Sequence, residues 1–155
     1  MREKLTVVKI GGNVINDEAL LAKVLKDFAA LEEQKMLVHG GGKKASALMR
    51  QMGMKPNLIE GRRVTDEATL EVVTMVYAGL INKKIVADLQ AIDVNSIGLT
   101  GADLNAIQSH KRIVKDIDYG FVGDIDTIES TNISKLLNAD FTPVFCAITH
   151  DKQGQ

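Results

Sequence analysis

Several things are missing from this sequence, and each absence closes off a class of function. A single cysteine, Cys146, in 155 residues rules out an internal disulfide framework and fits a reducing cytosol. Neither sign of charge is in surplus, since 19 basic and 20 acidic residues leave a net charge of −1. A nucleic-acid backbone has no basic excess to recruit, and a membrane surface finds no lysine-rich amphipathic segment. No apolar run approaches the roughly 20 residues needed to cross a bilayer. The start, Met1-Arg2-Glu3-Lys4, leads straight toward a strand and reads as no signal peptide. His39, His110 and His150 stand far apart, and no cysteine or histidine lies at ligand spacing, so no metal site is expected. There is no Gly-x-Ser-x-Gly elbow. Cys146 sits in an apolar stretch and reads as core, not nucleophile.

What is present has the balance of a soluble globular domain: 45% apolar and 25% charged residues in a length that suits one domain. Two glycine turns stand out. Val7-Val8-Lys9-Ile10-Gly11-Gly12-Asn13 and Met36-Leu37-Val38-His39-Gly40-Gly41-Gly42-Lys43 each read as a buried strand, a tight turn and a helix. The first helix, capped by Asn16 or Asp17, is expected to run to about Gln34, with Leu20, Val24, Phe28 and Leu31 at helical spacing and Leu21 and Leu25 widening the stripe. A second helix is expected over 43–52. Strand–helix–strand–helix is the signature of a parallel α/β sheet. The two turns should therefore lie side by side on neighbouring strands.

The remainder is more irregular. Residues 53–63 hold Pro56, Asn57 and Gly61 and read as a loop or short hairpin that could cover a ligand. A long helix is expected over 66–93, with Leu70, Val73, Val76 and Tyr77 on its apolar face and Gly79 and Asn82 as possible interruptions. Strands are expected at 95–99, 111–114, 120–125 and 143–148, the second and third reading as a pair, and a short helix starting at Asn132 or Ser134. Asp151 to Gly154 resembles a hairpin tip.

Three features point to anion chemistry. Lys9 lies at the carboxyl end of a strand, where open α/β sheets bind ligands; the alternative is a snorkelling edge residue. Gly40-Gly41-Gly42 costs chain entropy, so it marks either a close backbone approach or a strained turn without ligand. The helix that follows offers unpaired N–H groups and a positive dipole end. Arg62-Arg63 precedes the long helix, where a cation opposes the dipole; one of the pair could clamp a carboxylate. Two familiar phosphate motifs fail. Gly42-Lys43 is followed by Lys44, not the Ser or Thr of a Walker A loop, and Glu60 is misplaced for a dinucleotide fingerprint.

Together these residues resemble the amino acid kinase family, and within it the N-acetylglutamate kinase branch. The resemblance is carried by Lys9-Ile10-Gly11-Gly12, His39-Gly40-Gly41-Gly42 and Gly61-Arg62-Arg63-Val64-Thr65. It continues through Ala78-Gly79-Leu80-Ile81-Asn82-Lys83, Gly98-Leu99-Thr100-Gly101-Ala102-Asp103 and Gly120-Phe121-Val122-Gly123. It implies a three-layer αβα sandwich with a mainly parallel sheet. It implies transfer of the γ-phosphoryl group of ATP, carried with Mg²⁺, to the side-chain carboxylate of an N-acyl-L-glutamate in arginine biosynthesis. By the same resemblance, Lys9 stabilises the transferring phosphoryl group and Gly11 and Gly12 line its path. Gly41 and Gly42 hold the acyl amino acid, and Arg63 its α-carboxylate.

Family members continue into a second lobe that binds ATP and Mg²⁺. The resemblance therefore assigns residues 1–155 to the acylglutamate-binding and dimerisation lobe, inactive alone, with the ATP lobe absent. It also points to the arginine-insensitive, homodimeric, cytoplasmic type, because only four residues precede the first strand. The face of 66–93 is a candidate dimer contact or simply core. The acyl group is acetyl by default, with succinyl as the alternative. A non-catalytic binding or regulatory domain of the same fold, and a Rossmann-type dinucleotide domain, are the competing expectations.

Overall fold

The fold follows from where the apolar runs stop. In a computed structural model that describes residues 4–114 and 116–155, the chain begins with strand β1 (Leu5–Ile10) and passes through a short helix α1 (Gly12–Asn16) into α2 (Glu18–Ala29). The leading Met1-Arg2-Glu3 lies outside the described residues. Strand β2 (Gln34–His39) and helix α3 (Gly42–Gln51) come next, then a small hairpin of β3 (Leu58–Ile59) and β4 (Arg62–Arg63). A long helical rod follows: α4 (Glu67–Thr74), a π-helical stretch (Met75–Ile81) and α5 (Asn82–Gln90). The rest is β5 (Ser96–Leu99), a 3₁₀ turn (Asp103–Asn105), β6 (Ile107–Lys111), β7 (Gly123–Ile128), α6 (Ser130–Asn138) and β8 (Thr142–Cys146).

Four strands form one parallel sheet in the order β1-β2-β8-β5. Its register brings the carboxyl ends together: Ile10 lies beside His39, His39 beside Cys146, and Leu99 beside Phe145. Successive side chains of a strand point to opposite faces, which makes two cores. Leu37 and Val144 pack with Leu25, Phe28, Ile85 and Leu89 on one face. Met36, Val38 and Phe145 pack with Ile133 and Leu137 of α6 on the other. Helices thus cover both faces, the three-layer arrangement expected. Each fully buried Leu, Ile or Phe contributes about 1.5–3 kcal/mol over an exposed one.

Capping sets several boundaries. Asp17 accepts a bond from the Leu20 N–H at 2.9 Å, and, after the short α1, the helix expected to run to about Gln34 is the single α2 that this cap starts. It stops at Ala29 because Lys35 Nζ reaches back to the Ala29 and Leu31 carbonyls, at 2.6 and 2.7 Å. Leu20 turns outward, and the buried stripe is Leu21, Leu25 and Phe28. Asp66 caps the long rod through the Thr69 N–H. Gly79 and Asn82 do not break that rod: the π stretch takes in Gly79, and Asn82 is the first residue of α5.

One expected pairing is shifted. The hairpin uses β6 and β7, not 111–114 with 120–125. Ser109 of β6 and Ala106 just before it are buried, whereas the apolar Ile113 and Val114 are 75% and 52% exposed. Arg112–Asp124 and His110–Asp126 pairs fasten the strands across the register. Helix α6 begins at Ser130, earlier than expected. Asp151 Oδ1 accepts the Gln153 and Gln155 N–H groups, so the end is the turn read from sequence. Among the described residues, no helix is long and apolar enough to cross a membrane.

Candidate functional site

The two glycine turns are neighbours, as their strands require. Beyond the Ile10–His39 register pair, Lys43 of α3 donates to Asn13 Oδ1 of α1 at 2.7 Å. A Cβ on Gly12 would lie 3.9 Å from Lys43 Cγ, so the two turns approach closely. Lys9 is exposed at the end of β1, and its Nζ stands 3.8 Å from where a Gly11 Cβ would be. A cation therefore overhangs the first turn.

The second turn is packed tightly from above. A Cβ on Gly41 would come within 2.3 Å of Ile81 Cδ1 and 3.0 Å of the Tyr77 ring. Of the three glycines only Gly41 is pressed this closely; a Cβ on Gly40 would meet nothing within 4 Å. The π stretch supplies both of these side chains. Tyr77 also sets its hydroxyl beside Gly42, 3.6 Å from the Cβ position. Burial pushes the Tyr77 phenol up, with the Arg63 charge pulling the other way, so it stays a neutral donor near pH 7.

Arg63 arrives from the hairpin. The turn residues Glu60 and Gly61 have φ of 51° and 78°, the paired positive values of a tight two-residue connection. Neighbouring residues of a strand point opposite ways: Arg62 is exposed, while Arg63 turns in. Its Nη2 donates to the Gly42 carbonyl at 2.8 Å and to Ser46 Oγ at 2.7 Å, and its Nη1 approaches Met49 Sδ at 3.3 Å. A guanidinium has five N–H donors, so donors remain for a ligand. Behind it, Gly120 at φ 72° leaves no room for a Cβ, which would sit 2.0 Å from the Thr65 carbonyl. The Phe121 N–H bonds that same carbonyl at 2.7 Å, anchoring the segment that carries Arg63.

An open cavity of about 620 Å³ lies here, bordered by Gly42, Lys43, Ser46, Arg50, Arg63 and Tyr77, with Leu58 and Gly61 of the hairpin. Three of its lining residues are cationic and none is acidic. Such a cleft suits a small anion bearing an apolar appendage.

Of the six residues singled out from sequence, Gly42 and Arg63 line this cavity, Gly41 lies beside Gly42 in the same turn, and Lys9, Gly11 and Gly12 gather at the adjoining turn. Ser46 and Tyr77 escaped sequence reading, the latter because it counted as one more apolar position of a helix. A buried polar group also escaped it. His39 and Asn82 are each 1% exposed. Asn82 Nδ2 lies 3.0 Å from His39 Nε2 and 2.9 Å from the Val144 carbonyl, and His39 Nδ1 lies 2.8 Å from the Gly40 carbonyl. Burial holds the His39 pKa below its ordinary value, so the ring is neutral. Lys83 Nζ donates to Asn82 Oδ1 at 3.3 Å and to the Gly98 carbonyl at 3.0 Å. The signal was there in His39 and Asn82, both inside quoted motifs, but nothing in sequence tells that they touch.

Comparison with known proteins agrees with this geometry. The amino acid kinase family profile matches residues 4–155. The acetylglutamate kinase of Bacteroides fragilis is 54% identical over 154 residues, covering 99% of this chain and 59% of that protein. That of Bacteroides thetaiotaomicron is 53% identical, covering 99% and 60%. The chain thus spans about three fifths of the length of these curated relatives. A solved N-acetylglutamate synthase from Neisseria gonorrhoeae, complexed with coenzyme A and N-acetyl-glutamate, superposes with a TM-score of 0.81 at 23% identity, over 100% of this chain and 36% of that one. At that identity the likeness concerns the fold.

Proposed function

This chain belongs to the amino acid kinase family, and we propose that it forms the N-acetyl-L-glutamate-binding lobe of an acetylglutamate kinase. The observation that carries the proposal is Arg63 docked on the Gly42 carbonyl at 2.8 Å, at the edge of a cationic cleft beside the glycine turn. Its high identity to acetylglutamate kinases supports the same substrate.

The chemistry asks little of a general base. A carboxylate is already nucleophilic at pH 7, so catalysis consists of positioning and charge stabilisation. ATP, carried with Mg²⁺, supplies the γ-phosphoryl group. Lys9 over Gly11 fits that group, offering a cation and a backbone that can come close. Gly11 and Gly12 line the phosphoryl path. Gly41 and Gly42 present the N–H groups that hold the substrate, and Arg63 takes its α-carboxylate. The cationic rim counters the repulsion of two anions brought together. The cavity has room beside Leu58 for acetyl or for succinyl, with acetyl favoured by the relatives.

The dimer expected from the resemblance needs a different face from the one first considered. Val73 and Val76 are core, at 8% and 1% exposure, whereas Met75 and Leu80 project outward at 53% and 60%. We assign the homodimer contact to that outward strip.

Calorimetric titration of the protein tests the substrate assignment. N-acetyl-L-glutamate should bind, while unacylated L-glutamate and NAD should not. Equal binding of glutamate and its N-acetyl derivative would remove the acyl-amino-acid assignment.

A further inference from the structure

We propose that His39 and Asn82 are a positioning pair that sets the direction of the Gly41 N–H. The proposal deepens the substrate site described above and rests on that assignment for what the N–H holds.

The geometry runs through one peptide plane. The Gly40 carbonyl and the Gly41 N–H belong to the same planar, trans peptide unit, so fixing the oxygen fixes the N–H pointing the opposite way. His39 Nδ1 lies 2.8 Å from that oxygen. The carbonyl can only accept, so Nδ1 must carry the proton. Asn82 Nδ2 can only donate, so at 3.0 Å it requires an unprotonated His39 Nε2. Both contacts therefore demand the same neutral tautomer, and each enforces the other.

The pair is anchored on rigid elements. Asn82 also donates to the Val144 carbonyl at 2.9 Å, in the central strand β8, and receives Lys83 Nζ at 3.3 Å. The space is fully committed: a Cβ on Gly98 would lie 1.9 Å from Asn82 Oδ1. Asn82 begins α5 just where the π stretch ends, and that stretch places Ile81 and Tyr77 over Gly41. One stretch of helix thus closes on Gly41 from above and holds its peptide from below. Among the described residues the Gly41 N–H meets no backbone acceptor, leaving it aimed for a ligand.

Histidine variants separate the two contacts. His39→Asn keeps a donor in the Nδ1 position, toward Gly40, and loses the link to Asn82. His39→Gln keeps an acceptor in the Nε2 position and loses the Gly40 contact. The amide proton–nitrogen spectrum of the protein and its affinity for N-acetyl-L-glutamate are the readouts. In the unsubstituted protein, nitrogen-15 shifts should show His39 protonated at Nδ1. His39→Gln should shift the Gly41 amide, speed its hydrogen exchange and weaken N-acetyl-L-glutamate about tenfold, the scale of one lost hydrogen bond. His39→Asn should retain most of both, and Asn82→Ala, which loses the same link and keeps the Gly40 contact, should resemble His39→Asn with unchanged β1 amides. An Nε2-protonated ring in the unsubstituted protein overturns the proposal, even if every variant fails to fold. Equal effects of His39→Gln and His39→Asn overturn it too. If the unsubstituted protein ignores N-acetyl-L-glutamate, the substrate assignment fails, and the Gly41 amide alone still decides the positioning pair.

Discussion

Lys43 donates to Asn13 across the gap between the two glycine turns, Nζ to Oδ1 at 2.7 Å. The bond ties the helix after one turn to the helix after the other. It joins the two turns into one continuous floor. The duties proposed for the two turns are separable by substitution.

The role proposed for Lys9 concerns the phosphoryl side only. Lys9→Ala should leave N-acetyl-L-glutamate affinity within about twofold, by calorimetry. In turnover by the kinase it should cost about 10²–10³ in kcat, the usual loss for one preorganised transition-state donor. A near-normal kcat would remove that role.

Gly41 has no room for a side chain. Gly41→Ala would drive a Cβ to 2.3 Å from Ile81 Cδ1 and 3.0 Å from the Tyr77 ring. The expected cost is about 1–3 kcal/mol of stability, as for other overpacked sites, together with loss of substrate binding. Urea denaturation checks the first part. A companion Ile81→Ala substitution should recover part of the stability.

Ser46 steers Arg63. Its Oγ accepts Arg63 Nη2 at 2.7 Å, beside the bond to the Gly42 carbonyl. Ser46→Ala should weaken N-acetyl-L-glutamate by about three- to tenfold, a typical hydrogen-bond contribution of about 0.5–1.5 kcal/mol. Arg63→Lys should cost more, because a point charge cannot replace the planar fork.

Leu80 belongs to the outward strip of the π stretch, with Met75. Leu80→Lys should shift the protein from dimer to monomer in sedimentation analysis, with unchanged circular dichroism. A dimer insensitive to Leu80→Lys and Met75→Lys places the contact elsewhere.

Acid should loosen the start of the sheet. The Thr6 hydroxyl, at 2.7 Å, and then the Lys4 ammonium hold the Glu33 carboxyl down to about 2 from its ordinary 4.5. A depressed carboxyl pKa contributes stability above its unfolded value, lost as pH falls through the folded one. The Glu33 contribution should therefore be complete above pH 4.5 and fade toward about 2. Glu33→Gln should flatten the urea midpoint across that window.

Much of the site was legible in sequence because backbone demands leave residue signatures. Gly40-Gly41-Gly42 marks a turn in which Gly41 is closely packed, and Lys9 lies at the end of a strand read from its apolar run. The parallel sheet followed from strand–helix alternation. What sequence could not show depends on long-range contact. Ile113 and Val114 looked like a strand because they are apolar, yet they stay exposed while β6 lies earlier. Gly79 looked like a helix breaker, but the rod took a π turn and so brought Tyr77 and Ile81 onto Gly41. His39 and Asn82 are 43 residues apart, and only the fold joins them.

Titration of N-acetyl-L-glutamate into nitrogen-15-labelled protein, following the glycine amides and the Arg63 side chain, tests the substrate site most directly. Saturable shifts should centre on Gly41, Gly42 and Arg63, with Gly11 and Gly12 moving little, and Arg63→Ala should abolish them. Shifts centred elsewhere, or a response that survives Arg63→Ala unchanged, would contradict the assignment of this cleft to the acyl amino acid.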